Sequence, residues 1–351
     1  MFPENFVLEQ LYAYTRPSDV VLDPFCGRGT TILESLLNNR LGIGSDINPV
    51  AACVAGAKAD VPELDNVLDR VDALSSDLSS EPSVPAVPSE FFARCFHTDT
   101  FAEIAFLRRA LAWRDNPVDR FIAALMLGAL HGESHRSEMY LSNRMPRTIS
   151  TKPDYSVKWW KAHNLHPPRR ATFDVLRQAI YLRYSQRPPS KKGRVILNDA
   201  RHCGQEFLEY IGRVALVVTS PPYIDTTDYA EDQWLRLWFL GGEPRPVLRL
   251  YRDDRHTQIG HYWTFLQEVW SGCATLLRDT LTIVVRIGGG TVAKGDLFEG
   301  LETSLAKGLP GRVIRPLHKG ISSKIANRQT NSFRPGTSAH RSEHDFTFVV
   351  S

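Results

Sequence analysis

Cysteine is scarce. The chain has five in 351 residues, Cys26, Cys53, Cys95, Cys203 and Cys273; they are scattered, odd in number and without a C-x-x-C pair. That spacing argues against a disulfide framework or a zinc knuckle. No apolar run reaches the roughly 18 residues of a membrane span. The first ten residues, MFPENFVLEQ, lack the basic start and apolar core of a secretory signal, so the cytoplasm is the expected location. Neither sign of charge dominates: 42 Lys and Arg stand against 39 Asp and Glu, for a net charge of +3. Such a balance neither requires nor excludes nucleic acid, so the distribution of charge matters more than its sum. Internal repeats are absent. With 42% hydrophobic and 23% charged residues, the composition is that of a globular protein and excludes a mainly disordered or collagen-like chain.

What is present is a strand signal at both ends, separated by a helical stretch. Val20-Val21-Leu22 is a short β-branched run that leads into Asp23-Pro24-Phe25-Cys26-Gly27-Arg28-Gly29. Ile32, Leu33, Leu36 and Leu37 then follow at helical spacing, and Leu41 to Ile47 reads as a second strand. Residues 75–89, rich in Ser and Pro, read as a linker or surface loop. Residues 90–190 look mainly helical. From 194 the strands return as continuous apolar runs, a pattern that suits buried parallel strands: Arg194 to Leu197, Val214 to Val218, Leu281 to Arg286 and Phe346 to Val350. The expectation is an α/β sheet begun at 1–74, interrupted by a linker and helical insertion at 75–190, and resumed at 191–351.

Two segments carry chemistry. In Asp23–Thr31, glycines directly after a strand let the backbone turn tightly and approach a ligand closely. The helix that follows presents its free N–H groups there. Asp46 ends the second strand about 20 residues further on, where a carboxylate can accept from both hydroxyls of a ribose. The turn lacks the three-glycine dinucleotide spacing and the Gly-Lys-Thr of a triphosphate site, and a glycine turn without a ligand stays open on spacing alone. In the second segment, Thr219-Ser220-Pro221-Pro222-Tyr223 follows a strand. Two prolines remove two N–H donors and fix two φ angles, which leaves a stiff turn whose carbonyls can accept. Ser220 offers a hydroxyl oxygen and Tyr223 an aromatic face for a planar base. On its own this segment also reads as a turn that merely ends a strand.

Together the two segments resemble the motifs of the amino-group DNA methyltransferases, the N4-cytosine and N6-adenine enzymes of S-P-P-Y type. Asp23–Thr31 is similar to their D-P-F-x-G-x-G-T cofactor motif, and Ser220–Tyr223 to their catalytic motif. Phe2-Pro3-Glu4-Asn5, Gly44-Ser45-Asp46-Ile47-Asn48-Pro49, Asn198-Asp199-Ala200 and the stretch Tyr229-Ala230, Trp234 and Leu237–Gly241 resemble further family segments. The resemblance covers about 1–60 and 194–290. It implies a Rossmann-like S-adenosylmethionine-dependent methyltransferase sheet with a mainly helical insertion. In that reading Asp23, Pro24, Phe25, Gly27, Gly29, Thr30 and Thr31 line the cofactor pocket. Asp46 lies at the ribose, Asn48 also contacts the cofactor, Asp199 lies at the adenine, and Ser220 borders the cofactor as well as the substrate. Ser220, Pro221, Pro222 and Tyr223 form the catalytic set: Ser220 and the Pro221 carbonyl bind the target amino group, and Tyr223 stacks the flipped base. The family's chemistry is direct attack by the amino nitrogen on the sulfonium methyl, so Cys26 is read as packing. Serine at the head of P-P-Y resembles the N4-cytosine subgroup; N6-adenine, an RNA amino group and a non-catalytic subunit of the same fold are the alternatives. The order here, cofactor motif before catalytic motif, departs from the order common among S-P-P-Y enzymes.

The implied partner is duplex DNA with its target base flipped, in restriction-modification or epigenetic marking, with any restriction endonuclease on a separate chain. Monomer and dimer are both open. Arg136, Arg144, Arg147, Lys152, Lys158, Lys161, Arg169 and Arg170, interleaved with Tyr140, Tyr155, Trp159 and Trp160, form a candidate nucleic-acid surface. The alternative is a solvated helix face with core tryptophans. Residues 319–341 read as a basic loop, and 225–256 as a lid over the base. His131 and His135 have helical H-x-x-x-H spacing but no third ligand, so no metal is expected.

Overall fold

The computed structural model describes residues 3–80, 86–132, 135–144, 153–223, 233–247, 258–288, 292–324 and 342–351. They fall into two compact units. One comprises 1–59, 189–227 and 250–351; the other comprises 60–188 and 228–249. The boundaries fall at 59/60 and 188/189, not at the 74/75 and 190/191 expected from the sequence.

The first unit is an eight-stranded sheet. Its strands are β1 (Val20–Asp23), β2 (Leu41–Asp46), β3 (Arg194–Leu197), β4 (Val214–Thr219), β5 (Leu277–Gly288), β6 (Ile314–Pro316), β7 (Ile321–Lys324) and β8 (Ser342–Val350). The order is β3-β2-β1-β4-β5-β8-β6, with β7 also paired to β8. Strands β1 to β5 run parallel. β8 is antiparallel to β5, and β6 and β7 are antiparallel to β8. From β1 the chain winds outward through β2 and β3, then returns to the other side of β1 as β4. That reversal is a topological switch point, where open α/β sheets bind ligands beyond the carboxyl ends of their strands.

Burial follows the alternation of the strands. Val7 and Leu11 of helix α1 (Glu4–Tyr14) pack with Val21, Leu216, Val218 and Val284. Each side chain so buried contributes roughly 1.5–3 kcal/mol. The other face, with Ile283, Val285, Ile287, Phe346 and Phe348, receives the helices Ile259–Cys273 and Lys294–Gly308. All six residues of β4 are buried, as its apolar run predicts. β3 is not: it is an edge strand of half-buried residues with Leu197 exposed, so its apolar run overstates its burial. The strand β7 also replaces part of the loop expected at 319–341; 325–341 lie outside the described residues.

The second unit is helical. Its helices span Leu64–Ser79, Glu90–Cys95, Thr98–Ala110, Pro117–Ala129, Pro153–Ala162, Thr172–Tyr184 and Trp234–Phe239. The first of these overturns the expected linker at its start. Residues 75–79 are helical, because Val67, Val71 and Leu74 hold one buried stripe on the same helix. Pro117–Ala129 begins as its sequence requires: Pro117 opens it, and the Asn116 side chain accepts from the N–H groups of Val118 (2.8 Å) and Asp119 (3.2 Å). That helix ends at Ala129, so His131 and His135 do not share a helix face. Burial and Arg236 depress the His131 pKa to about 3, keeping it neutral. The core of the unit is aromatic: Phe92 lies 4.6 Å from Trp238, and Phe91 lies 4.9 Å from Trp234, ring centre to ring centre. Among the described residues no helix is long and apolar enough to cross a membrane.

Candidate active site

The two chemical segments come together at the switch point. β1 ends in Asp23, and β4, its neighbour, ends in Thr219, directly before Ser220. Asp23 is buried, and its carboxylate is held on three sides. Oδ1 accepts from the Thr219 hydroxyl (2.7 Å) and the Phe25 N–H (3.1 Å), and Oδ2 accepts from the Thr31 hydroxyl (2.8 Å). Burial nevertheless wins and raises its pKa to about 6, with the three donors opposing the rise. Asp23 is thus a buried knot tying the glycine turn to the strand that leads into Ser220.

The turn after β1 depends on its glycines. Gly27 has φ +51° and Gly29 φ +77°, both in the left-handed region. At Gly29 a Cβ would also stand 2.9 Å from Ala55 of helix α3 (Pro49–Ala59). Gly29 thereby lets helix α2 (Thr30–Leu37) begin against α3. The Gly27 N–H donates to Oδ2 of Asp46 at 2.9 Å, and the Asn48 N–H donates to Oδ1 at 2.8 Å. Asp46 is therefore fixed at the end of β2, one strand from the glycine turn. Burial raises its pKa, opposed by those two N–H groups. A carboxylate has about four acceptor positions, so two stay available for a diol. Pro24 is buried; Phe25 and Thr30 are half-buried. Cys26 is buried and its thiol is pushed far up, chiefly by burial, a poor setting for a nucleophile.

Asp199 follows β3 and caps the short turn after it. The guanidinium of Arg201 grips its carboxylate, with Nε 3.0 Å from Oδ1 and Nη2 2.8 Å from Oδ2. Arg201 also reaches Glu268 at 2.9 Å. Any contact from Asp199 to an adenine would share the carboxylate with that arginine.

After β4, Pro221 is buried, while Ser220, Pro222 and Tyr223 are half-buried. The Tyr223 hydroxyl donates to Oε1 of Glu343 at 2.9 Å, and the Ser220 hydroxyl lies 3.5 Å from the Tyr223 oxygen. Burial, then the charge of Glu343, raises the Tyr223 pKa, so the phenol stays protonated. Glu343 belongs to β8, directly opposite Gly288 of β5. Two residues along the same faces, Arg286 forms a two-pronged pair with Asp345, at 2.6 and 2.8 Å. Its guanidinium carbon lies 3.8 Å from the ring centre of Phe6 in α1, and Nη1 is 3.9 Å from Glu343.

The sequence pattern singles out neither Glu343 nor Arg286, and it offers Thr219 only as the residue that opens the Ser220–Tyr223 segment. A signal existed for Arg286: one cation inside the apolar run Leu281–Gly288 demands a partner. Nothing in the sequence spacing tied Glu343 to Tyr223, 120 residues earlier.

The candidate nucleic-acid residues lie in the helical unit, and several are already engaged. Lys161 pairs with Glu90 (2.7 Å), Arg169 with Glu103 (2.6 Å) and Arg170 with Glu138 (3.1 Å). Trp160 is fully buried, with its indole N–H on the Arg144 carbonyl at 2.8 Å, and so serves as core rather than as a stacking face. Tyr155, Lys158, Arg136 and Arg144 are exposed. Arg147 and Lys152 lie outside the described residues, as do Phe2, Tyr229, Ala230 and most of the proposed lid at 225–256. The described part of that lid, 233–247, belongs to the helical unit, where Trp234 and Trp238 are buried.

Known proteins resemble the chain mainly at its beginning. A family model described as DNA methylase, of the N6 and N4 type, matches residues 1–55. The orphan methyltransferase M.BamHII of Bacillus amyloliquefaciens is 40% identical over 48 residues, which cover 14% of this chain and 18% of that protein. The match thus spans less than a fifth of the relative's length. Two solved structures of the rRNA methyltransferase aviRa from Streptomyces viridochromogenes align with 12% identity. One covers 99% of this chain and 85% of its own with a TM-score of 0.34; the other covers 98% and 84% with 0.32. The match over residues 1–55 contains the glycine turn and Asp46, so it is this first segment of the chain that is similar to the N6/N4 amino-methyltransferases.

Proposed function

We propose that the protein transfers a methyl group from S-adenosylmethionine to an exocyclic amino group of a base in duplex DNA, within a short sequence, and that N4 of cytosine is the preferred position. The observation that carries this reading is the Asp23–Thr219 hydrogen bond. It joins the start of the cofactor turn to the strand that presents Ser220-Pro221-Pro222-Tyr223.

The residues suit the cofactor. Asp46 keeps acceptor capacity for a ribose, and the space above Gly27 is open, with nothing within 4 Å of where a Cβ would stand. When bound, S-adenosylmethionine supplies an electrophilic methyl. The protein's part is to hold the amino group in place. An amino group has two N–H donors; Ser220 Oγ and the Pro221 carbonyl are two acceptors on consecutive residues. Binding both N–H groups steers the nitrogen lone pair, and Tyr223 offers a face for the base plane. Extruding the base from a duplex costs about a few kcal/mol, which stacking would offset in part. The choice of N4-cytosine over N6-adenine rests on Ser220 at the head of the motif. Exposed Lys158 and Arg144 support a phosphate contact in the helical unit.

Nucleoside mass spectrometry tests the reading. The protein is incubated with labelled S-adenosylmethionine and with duplex DNA, single-stranded DNA or total RNA in separate reactions. The expected product is labelled N4-methylcytosine from duplex DNA. Labelled N6-methyladenine would overturn the base assignment, and label confined to RNA would overturn the substrate class. No label in any reaction, with cofactor still bound, would indicate a non-catalytic subunit or the need for a partner.

A further inference from the structure

We propose that Glu343, carried on the antiparallel strand β8, is a positioning residue that fixes both the Tyr223 ring and the hydrogen-bond polarity of Ser220. The inference deepens the amino-methylation reading and rests on it for its catalytic consequence. Its geometric content stands alone.

Tyr223 follows two prolines, which stiffen the chain before it but do not set its own side-chain torsions. One edge of the ring lies against Gly288, where a Cβ would stand 2.9 Å from the Tyr223 Cε2. The ring can therefore settle there only because residue 288 lacks a side chain. Directly across the strand pair from Gly288 stands Glu343, whose Oε1 accepts the phenol proton at 2.9 Å. Ring edge and hydroxyl are thus fixed by neighbouring positions of β5 and β8. Arg286, 3.9 Å from Glu343 and anchored to Asp345 and Phe6, keeps the carboxylate beside a cation.

The second consequence concerns proton direction. A carboxylate accepts and cannot donate. With Glu343 as its acceptor, the Tyr223 hydroxyl spends its one proton there, and its oxygen faces Ser220 as an acceptor at 3.5 Å. The Ser220 proton is then drawn toward Tyr223, which leaves the Ser220 lone pairs to accept from a substrate amino group. Without Glu343, Tyr223 could donate to Ser220 and occupy the acceptor that the amino group needs.

The test compares full-length wild type with Glu343→Ala, Glu343→Gln and Tyr223→Phe. The first readout is carbon-13 NMR of ring-labelled tyrosine, with Tyr223→Phe assigning the signal. It needs neither cofactor nor substrate. Glu343→Ala should shift or broaden the Tyr223 signal, and Glu343→Gln, which keeps an acceptor oxygen, should restore most of it. The second readout is methyl transfer. Glu343→Ala and Tyr223→Phe should each lower kcat by about ten- to a hundredfold, in the range expected for a misplaced reacting group. Cofactor affinity should stay constant. An unchanged Tyr223 signal in a folded Glu343→Ala protein overturns the proposal. If that variant does not fold, full kcat in Tyr223→Phe overturns it instead. A wild type that methylates nothing, but whose Tyr223 signal depends on Glu343, refutes the methylation reading and supports the positioning contact.

Discussion

The Thr219 hydroxyl donates to Oδ1 of Asp23 across two adjacent parallel strands, at 2.7 Å and fully buried. The two residues are 196 positions apart, and the contact joins the glycine turn to the strand end before Ser220. Thr219→Val keeps the shape and deletes the donor. Hydrogen bonds to charged groups contribute about 1.5–3 kcal/mol, so urea denaturation should show a loss of that order. Calorimetry should also show weaker S-adenosylmethionine binding. Unchanged stability would mean that this contact holds nothing together.

Asp23 predicts a pH dependence. Its pKa in the folded chain is about 6, above the 3.8 of an unburied carboxyl, so the folded state holds the proton more tightly. This group's contribution to stability therefore falls as pH rises from about 4 to 6 and stays low above that window. Asp23→Asn removes the titration. The melting temperature of wild type minus that of Asp23→Asn should grow as pH is lowered from 7 to about 4.5. A flat difference would contradict the buried, raised carboxyl.

Gly27 and Gly29 should respond differently to alanine. Both have positive φ, which costs a side chain roughly 1–2 kcal/mol. At Gly27 nothing lies within 4 Å, so backbone strain is the whole stability cost; at Gly29 a Cβ would also meet Ala55 at 2.9 Å. Thermal melts should show Gly29→Ala losing clearly more stability than Gly27→Ala. The reverse order would refute the close approach of α2 and α3.

The proposed phosphate contacts make a salt prediction. Lys161 is engaged with Glu90 at 2.7 Å, whereas Lys158 is exposed on the same helix. If that helix meets DNA, Lys158→Ala should reduce the slope of log affinity against log salt by about one. Lys161→Ala should reduce it by less. Equal slopes in wild type and Lys158→Ala would remove this helix from the interface.

Much of the sheet is legible in the sequence because its central strands are short apolar runs ended by a polar residue or a turn. β1 before Asp23 and β4 before Ser220 announced themselves that way, and with them the placement of both motifs. The misreadings share a cause. A Ser-rich stretch such as 75–79 extends a helix when Val67, Val71 and Leu74 have already nucleated its buried stripe. Interleaved tryptophans and cations at 158–161 look alike whether the ring faces solvent or core; here Trp160 is core and Lys161 has an acidic partner. Glu343 was invisible because its partner is set by strand pairing with Gly288, which no local pattern encodes.

The divided chain has a consequence for biosynthesis. The helical unit closes only when Trp234 and Trp238, more than a hundred residues after Phe91 and Phe92, arrive to fill its aromatic core. The sheet waits longer still: the side of β5 away from β4 lacks its neighbour until β8 emerges with Phe346 and Phe348. A chain leaving the ribosome would therefore carry both half-built units at once, with the apolar edge of β5 uncovered until β8 has emerged. Exposed apolar surface and an unpaired strand edge are what make a partly synthesised chain prone to aggregate, so the order in which these strands emerge bears on how the chain must be protected while it is made.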